Sequence, residues 1–269
     1  MTTTERQTAF NTCIRIAREH YENFPVASRL LPRRYRGYVA AIYAFARTAD
    51  DYADEGEWPV SERLHALDLH EEKLDRALRG EATEPAFVAL GITLAESGIP
   101  DELLRDLLRA FRHDAQNLGY PTMADLLAYC RNSANPVGRL VLHLYGYTSR
   151  EQLRLSDEIC TGLQLVNFWQ DLSIDLPRDR VTIPDEVMAE FGYSREELLA
   201  GVQDDRFFAM ISELTDLAEE YLKRGSALPK LIPSLRLRWQ LKLTVLGGLR
   251  IVRKIRGIDF RVLEERVVR

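Results

Sequence analysis

The chain has 269 residues, 46% hydrophobic and 29% charged, enough apolar material for a sizeable core. Its formal net charge of −5 excludes the basic excess expected of a nucleic-acid-binding protein, so no nucleic-acid partner is expected. Three scattered cysteines, Cys13, Cys130 and Cys160, suit neither a disulfide framework nor a thiolate metal site, and fit a reducing compartment.

In chain order, the opening MTTTERQTAFNTC is polar and lacks the apolar core of a signal peptide. No later stretch approaches the roughly 20 apolar residues that span a bilayer. The expected location is therefore the cytoplasm. RRYRGYVAAIYAFARTADDYADE follows with helical spacing, then SERLHALDLHEEKLDRALRG, with Ser61 near its start and Gly80 suited to its C-terminus. Asp101 is placed to cap DELLRDLLRAFRHDAQNL and Thr122 to cap MADLLAYC, and Ser149 precedes REQLRLSDEICTGLQLVNFWQDL. Ser194 and Glu197 form a capping box. Helices over about 205–224 and 234–256 close the chain. Alternating β-branched runs are nearly absent, and no Pro/Gly/Ser-rich linker, repeat or low-complexity tract interrupts the pattern. These features predict an all-α protein with a single domain over 1–269. Its longest irregular stretch is expected at 173–184.

Two of these helices carry acidic stripes. In the first, Tyr43, Arg47, Asp50 and Asp54 recur at i, i+4, i+7 and i+11 and so share one face, with Asp51 one position round. Val39, Ala40, Ala41, Ile42, Ala44, Phe45 and Ala46 make the helix apolar, so three carboxylates at its end call for a positive partner. In the second, GLQLVNFWQDLSID, residues Gln164, Asn167, Asp171 and Asp175 again share a face of an apolar helix. A line of oxygen donors ending in an i,i+4 aspartate pair suits a hard cation such as Mg²⁺, which combines a few carboxylates with phosphate oxygens and water. Neither stripe has His or Cys at ligand spacing, so zinc is not expected.

With both stripes in view the chain resembles the squalene/phytoene synthase family. AIYAFARTADDYADE is similar to the family's first signature and NFWQDLSIDLPRDRVTIP to its second. Within the family, NFWQD and YCRNSANPVGRLVLHLYG look most like hydroxysqualene synthases of the bacterial hopanoid pathway. The resemblance implies an isoprenoid-synthase-type helical bundle with a central cavity. It also implies an isoprenoid diphosphate substrate held through Mg²⁺ between the two aspartate motifs. The subfamily resemblance implies presqualene diphosphate as substrate and hydroxysqualene as product, a lyase-type reaction in squalene and hopanoid synthesis, and other enzymes of squalene synthesis as candidate partners. Two positions depart from the family pattern: Thr182 stands where a tyrosine follows Arg-Val, and Arg250 aligns with a pocket tyrosine of the last helix.

The implied roles fall on Asp50, Asp51, Asp54, Asp171 and Asp175 as metal ligands, and on Arg47, Gln164, Asn167 and Arg180 as diphosphate contacts. Phe24, Tyr43 and Tyr129 are the aromatic candidates for stabilising a carbocation; Phe168 and Trp169 face either the pocket or the core. Asn132, Ser133 and Asn135 place hydrogen-bonding groups beside Tyr129, where Pro136 interrupts the helix. They hold either the attacking water or the backbone groups that Pro136 frees. Residues 230–256 carry Arg236, Arg238, Lys242, Arg250, Arg253, Lys254 and Arg256 with no Asp or Glu, a candidate peripheral contact with the inner face of a membrane. A condensing head-to-head synthase and a non-catalytic assembly module on the same fold remain as alternative readings.

Overall fold

The computed structural model describes residues 2–19, 32–54, 58–264 and 266–267. Among them the 3.6-residue apolar period builds α-helices and no strand. In chain order these are α1 (Thr3–Glu19), α2 (Arg33–Asp54), α3 (Val60–Leu78), α4 (Pro85–Ser97), α5 (Glu102–Ala115) and α6 (Met123–Ser133). There follow α7 (Asn135–Leu144), α8 (Arg150–Asp175), α9 (Asp185–Glu190), α10 (Arg195–Leu199), α11 (Asp205–Gly225) and α12 (Leu235–Gly257). Short 3₁₀ turns lie at Leu176–Arg178 and Leu228–Leu231. No described helix is long and apolar enough to cross a membrane.

Backbone contacts divide the chain into two compact units, Met1–Gln116 with Arg139–Thr148, and Asn117–Gly138 with Ser149–Arg269. In the first unit α2 packs against α1, α3, α4 and α5. Its inner face is mostly alanine (Ala40, Ala41, Ala44, Ala49, Ala53) with Phe45, all buried, and small side chains let several helices approach one axis. Gly91 of α4 serves the same end. A Cβ there would stand 2.6 Å from the Ala77 carbonyl oxygen of α3.

In the second unit α8 runs along α11, with α12 and α6 against it. The fully buried Trp169 turns inward, its indole Nε1–H donating to the Leu214 carbonyl of α11 at 3.0 Å. Of the two aromatics left open by the sequence, this one belongs to the core.

Thr122, Ser149 and Ser194 each close a complete capping box, and Ser234 caps α12. Gly80 follows α3 at φ 74°, a backbone setting that suits glycine. Pro59 precedes α3, its fixed φ suiting a helix start, and Ser61 lies in the first turn, near the start as expected. One expected cap differs. Asp101 precedes α5 but makes no capping bond; its carboxylate accepts from Arg105 Nε at 3.0 Å. Helix α8 also runs on to Asp175, so Ser173 and Ile174 are helical and the irregular stretch starts later than expected. Pro136 separates α6 from α7 by sitting in the first turn of α7, where its missing N–H leaves no helical bond unmade.

Candidate functional site

Each aspartate stripe belongs to a different unit, so each has its own geometry. On α2, Tyr43, Arg47, Asp50 and Asp51 are half-buried and Asp54 is exposed, opposite the alanine face. The positive partner that the carboxylates call for is Arg47. Its Nη1 lies 3.0 Å from Asp50 Oδ2 and its Nη2 2.5 Å from Asp51 Oδ1, a fork that engages both acids at once. Burial pushes the Tyr43 phenol above its ordinary pKa, with the nearby Arg47 opposing and Asp50 and Asp51 adding to the effect. Asp54 makes no ion pair among the described residues.

On α8, Gln164 and Asp171 are half-buried, Asn167 is exposed and Asp175 is buried at the helix end. Asp171 Oδ1 accepts from Arg266 Nε at 2.9 Å, across 95 residues of sequence. Arg266 was missed in the sequence because the C-terminal ERVVR carries no motif of its own; only the fold reveals its partner.

The candidate aromatics separate. Phe24 lies outside the described residues. Tyr129 of α6 is buried against Tyr120 and Phe168, with ring centroids 5.5 and 5.9 Å away, and Arg180 lies 5.9 Å from the Phe168 ring centroid. Phe168 is buried as Trp169 is, and joins an aromatic group with Tyr129. Tyr120 is a further member that sequence reading omitted, since it lies outside any helix pattern.

Ser133 lies one turn beyond Tyr129 on α6, and its buried hydroxyl has no hydrogen-bond partner among the described residues. Asn135 is buried, and its Oδ1 accepts from the Thr161 hydroxyl of α8 at 3.0 Å. Asn132 is half-buried. Asn135 thus ties α7 to α8, while Ser133 retains donor and acceptor capacity for a ligand or water. Thr182, in place of the family's tyrosine, is fully buried, and its hydroxyl has no partner among the described residues. Arg250 is exposed on α12.

As a metal centre the candidate ligands are all carboxylates, the hard oxygen donors that Mg²⁺ prefers. Asp50, Asp51 and Asp171 keep 39%, 31% and 29% of their side-chain surface exposed, open to an ion with its waters. Among the described residues no three acidic, His or Cys side chains converge into a closed cage. Few protein ligands completed by phosphate and water is the usual Mg²⁺ arrangement, so the donor set fits.

The family model described as squalene/phytoene synthase matches residues 17–269. The chain is 37% identical over 247 residues to the hydroxysqualene synthase of Sinorhizobium fredii, covering 91% of this chain and 82% of that protein. It is similar to the crystal structure of squalene synthase HpnC from Alicyclobacillus acidocaldarius, with TM-score 0.90, 40% identity, and 96% and 97% of the two chains covered. A dehydrosqualene synthase solved with ligand is similar at TM-score 0.79 and 26% identity, over 93% and 88% of the chains. The fold is thus that of the isoprenoid synthases of squalene-synthase type. The chain belongs to the squalene/phytoene synthase family, enzymes that act on isoprenoid diphosphates.

Proposed function

We propose that the enzyme ionises presqualene diphosphate and captures the rearranged cation with water, giving hydroxysqualene and diphosphate. The observation that carries this reading is the buried Ser133 hydroxyl, one turn from Tyr129 and without a hydrogen-bond partner among the described residues, supported by similarity to hydroxysqualene synthases. An apolar wall at that position would offer no group to orient water.

In this reading Asp50, Asp51, Asp54, Asp171 and Asp175 would hold Mg²⁺. Bound Mg²⁺ supplies charge neutralisation that makes diphosphate a good leaving group. The residues of the chain do the rest. Arg47 and Arg266, which meet carboxylates in the protein alone, turn to diphosphate oxygens, joined by Gln164, Asn167 and Arg180. The carbon–oxygen bond breaks with its electron pair leaving on diphosphate. Tyr43, Phe24 and the Tyr129 group present aromatic faces to the cation, each contributing about 0.5–2 kcal/mol when desolvated. Water held at Ser133 adds to the allylic cation and releases one proton, which balances the reaction.

A second reading, head-to-head condensation of prenyl diphosphates, is favoured by the similarity to a dehydrosqualene synthase. Incubation with Mg²⁺ and either presqualene diphosphate or farnesyl diphosphate alone separates the two. Hydroxysqualene from presqualene diphosphate supports the proposal. Consumption of farnesyl diphosphate with no turnover of presqualene diphosphate replaces it with condensation.

A further inference from the structure

Helix α12 has two unlike faces. Leu237, Val245, Ile251, Val252 and Ile255 are buried in the second unit. On the other side Leu235, Trp239, Leu243 and Leu246 are 65%, 59%, 58% and 55% exposed. Steps of four, four and three residues align them on one strip of helix about 16 Å long, and Leu231 of the preceding 3₁₀ turn is exposed as well. Single exposed apolar residues are ordinary, but an ordered row of four large ones marks a contact surface.

The charges around the row point to its occupant. Residues 230–257 contain no Asp or Glu. Arg236 and Lys242 are exposed beside the row, Lys242 Nζ lying 5.1 Å from the Trp239 ring centroid, and Arg250 and Arg253 are exposed on the next turns. Arg236, Lys242 and Arg250 make no ion pair among the described residues. Arg256, by contrast, is committed to Asp216 and Glu219 at 2.6 and 2.7 Å, and Arg238 to the Ile232 carbonyl at 2.9 Å. Of the cations near the apolar row, Arg236, Lys242 and Arg250 thus stay without an ion pair among the described residues, and Arg253 Nε donates only to the Leu249 carbonyl of its own helix at 3.4 Å. A two-fold contact between copies through this strip would set cation against cation, with no acid on the helix to answer them. An anionic lipid surface answers both features: its headgroups match the cations, and its acyl boundary takes leucines and a tryptophan.

We propose that this face of α12 docks on anionic phospholipid, with Leu235, Trp239, Leu243 and Leu246 entering the interface and Arg236, Lys242, Arg250 and Arg253 meeting headgroups. Under the proposed reaction, which this surface does not require, the substrate and product are themselves lipids and would be exchanged with the same bilayer.

The test is flotation of the full chain with vesicles of phosphatidylcholine alone and of phosphatidylcholine mixed with phosphatidylglycerol. Binding to the mixed vesicles is expected to be at least about tenfold tighter and to weaken with salt. Trp239 emission should shift to the blue on binding, and a Trp58→Phe background assigns the change, because Trp169 is already buried. Trp239→Ser with Leu243→Ser should lower binding at least about tenfold with an unchanged circular dichroism spectrum. Arg236→Gln with Lys242→Gln should remove the preference for anionic vesicles. Absence of vesicle binding, binding that neither variant alters, or a dimer dispersed by Trp239→Ser/Leu243→Ser without vesicle binding would each overturn the proposal. No isoprenoid substrate is present, so failure here is read separately from failure of the proposed reaction.

Discussion

His70 offers a quantitative test of how the first unit holds its aspartate helix. It is buried among Phe45, Phe87 and Tyr52, with its Nε2 3.1 Å from the Phe45 carbonyl of α2, two residues before Arg47. A carbonyl only accepts, so Nε2 carries the hydrogen, and Nδ1 lies buried without a hydrogen-bond partner among the described residues. A proton on Nδ1 would be an unanswered buried charge. Burial accordingly pushes the His70 pKa from its ordinary 6.5 down to about 4. The unfolded chain binds this proton at higher pH than the folded one. The neutral-imidazole contribution is therefore fully present above about pH 6.5 and is lost as pH falls toward 4. At about 1.4 kcal/mol per unit, the whole effect is about 3 kcal/mol, of which about 2 kcal/mol falls between pH 7 and pH 5. His70→Gln keeps a donor but does not titrate. Urea unfolding at pH 7 and pH 5 should show the wild type losing about 2 kcal/mol more than His70→Gln over that interval. Equal losses in the two proteins would refute the reasoning, because the other titrating groups are common to both.

Three further predictions concern packing and the site. Gly138 of α7 faces α8, where an added Cβ would collide with Ser156 Oγ and stand 2.6 Å from Cys160 Sγ. Gly138→Ala should cost about 1–3 kcal/mol in urea unfolding, partly restored by adding Ser156→Ala. Arg47→Lys cannot reproduce the fork to Asp50 and Asp51, so kcat/KM should fall by about 100-fold, equivalent to about 2.7 kcal/mol, with the far-UV spectrum unchanged. Ser133→Ala should lower the share of hydroxysqualene among the products more than it lowers substrate consumption, measured by product chromatography. Unchanged partitioning would remove Ser133 from the water-holding role.

Much of the structure was legible because it is local. Helical periodicity and carboxylate spacing located α2 and α8, and Thr122, Ser149 and Ser194 marked helix starts, Ser194 as a capping box, through chemistry reaching only three residues. Helix α4, PAFVALGITLAES, was not legible because it is apolar on nearly every side and shows no polar face to count against. The tie between Asn135 and Thr161 and the pair between Arg266 and Asp171 span 26 and 95 residues, and no pattern along the chain encodes such contacts. On α12 the cations were visible in the sequence, but apolar residues in a helix read as inward-facing. That Leu235, Trp239, Leu243 and Leu246 point outward is a fact of packing.

The proposed function assigns diphosphate departure to the carboxylates of α2 and α8 with Arg47, and the fate of the cation to the Ser133 hydroxyl of α6. In the proposed reaction, water ends the sequence. Turnover of presqualene diphosphate with Mg²⁺ in ¹⁸O-labelled water, followed by mass analysis, tests this. Hydroxysqualene carrying the label in its hydroxyl is expected, together with released diphosphate. Presqualene diphosphate left intact while farnesyl diphosphate is consumed, or a hydrocarbon product without oxygen, would contradict it.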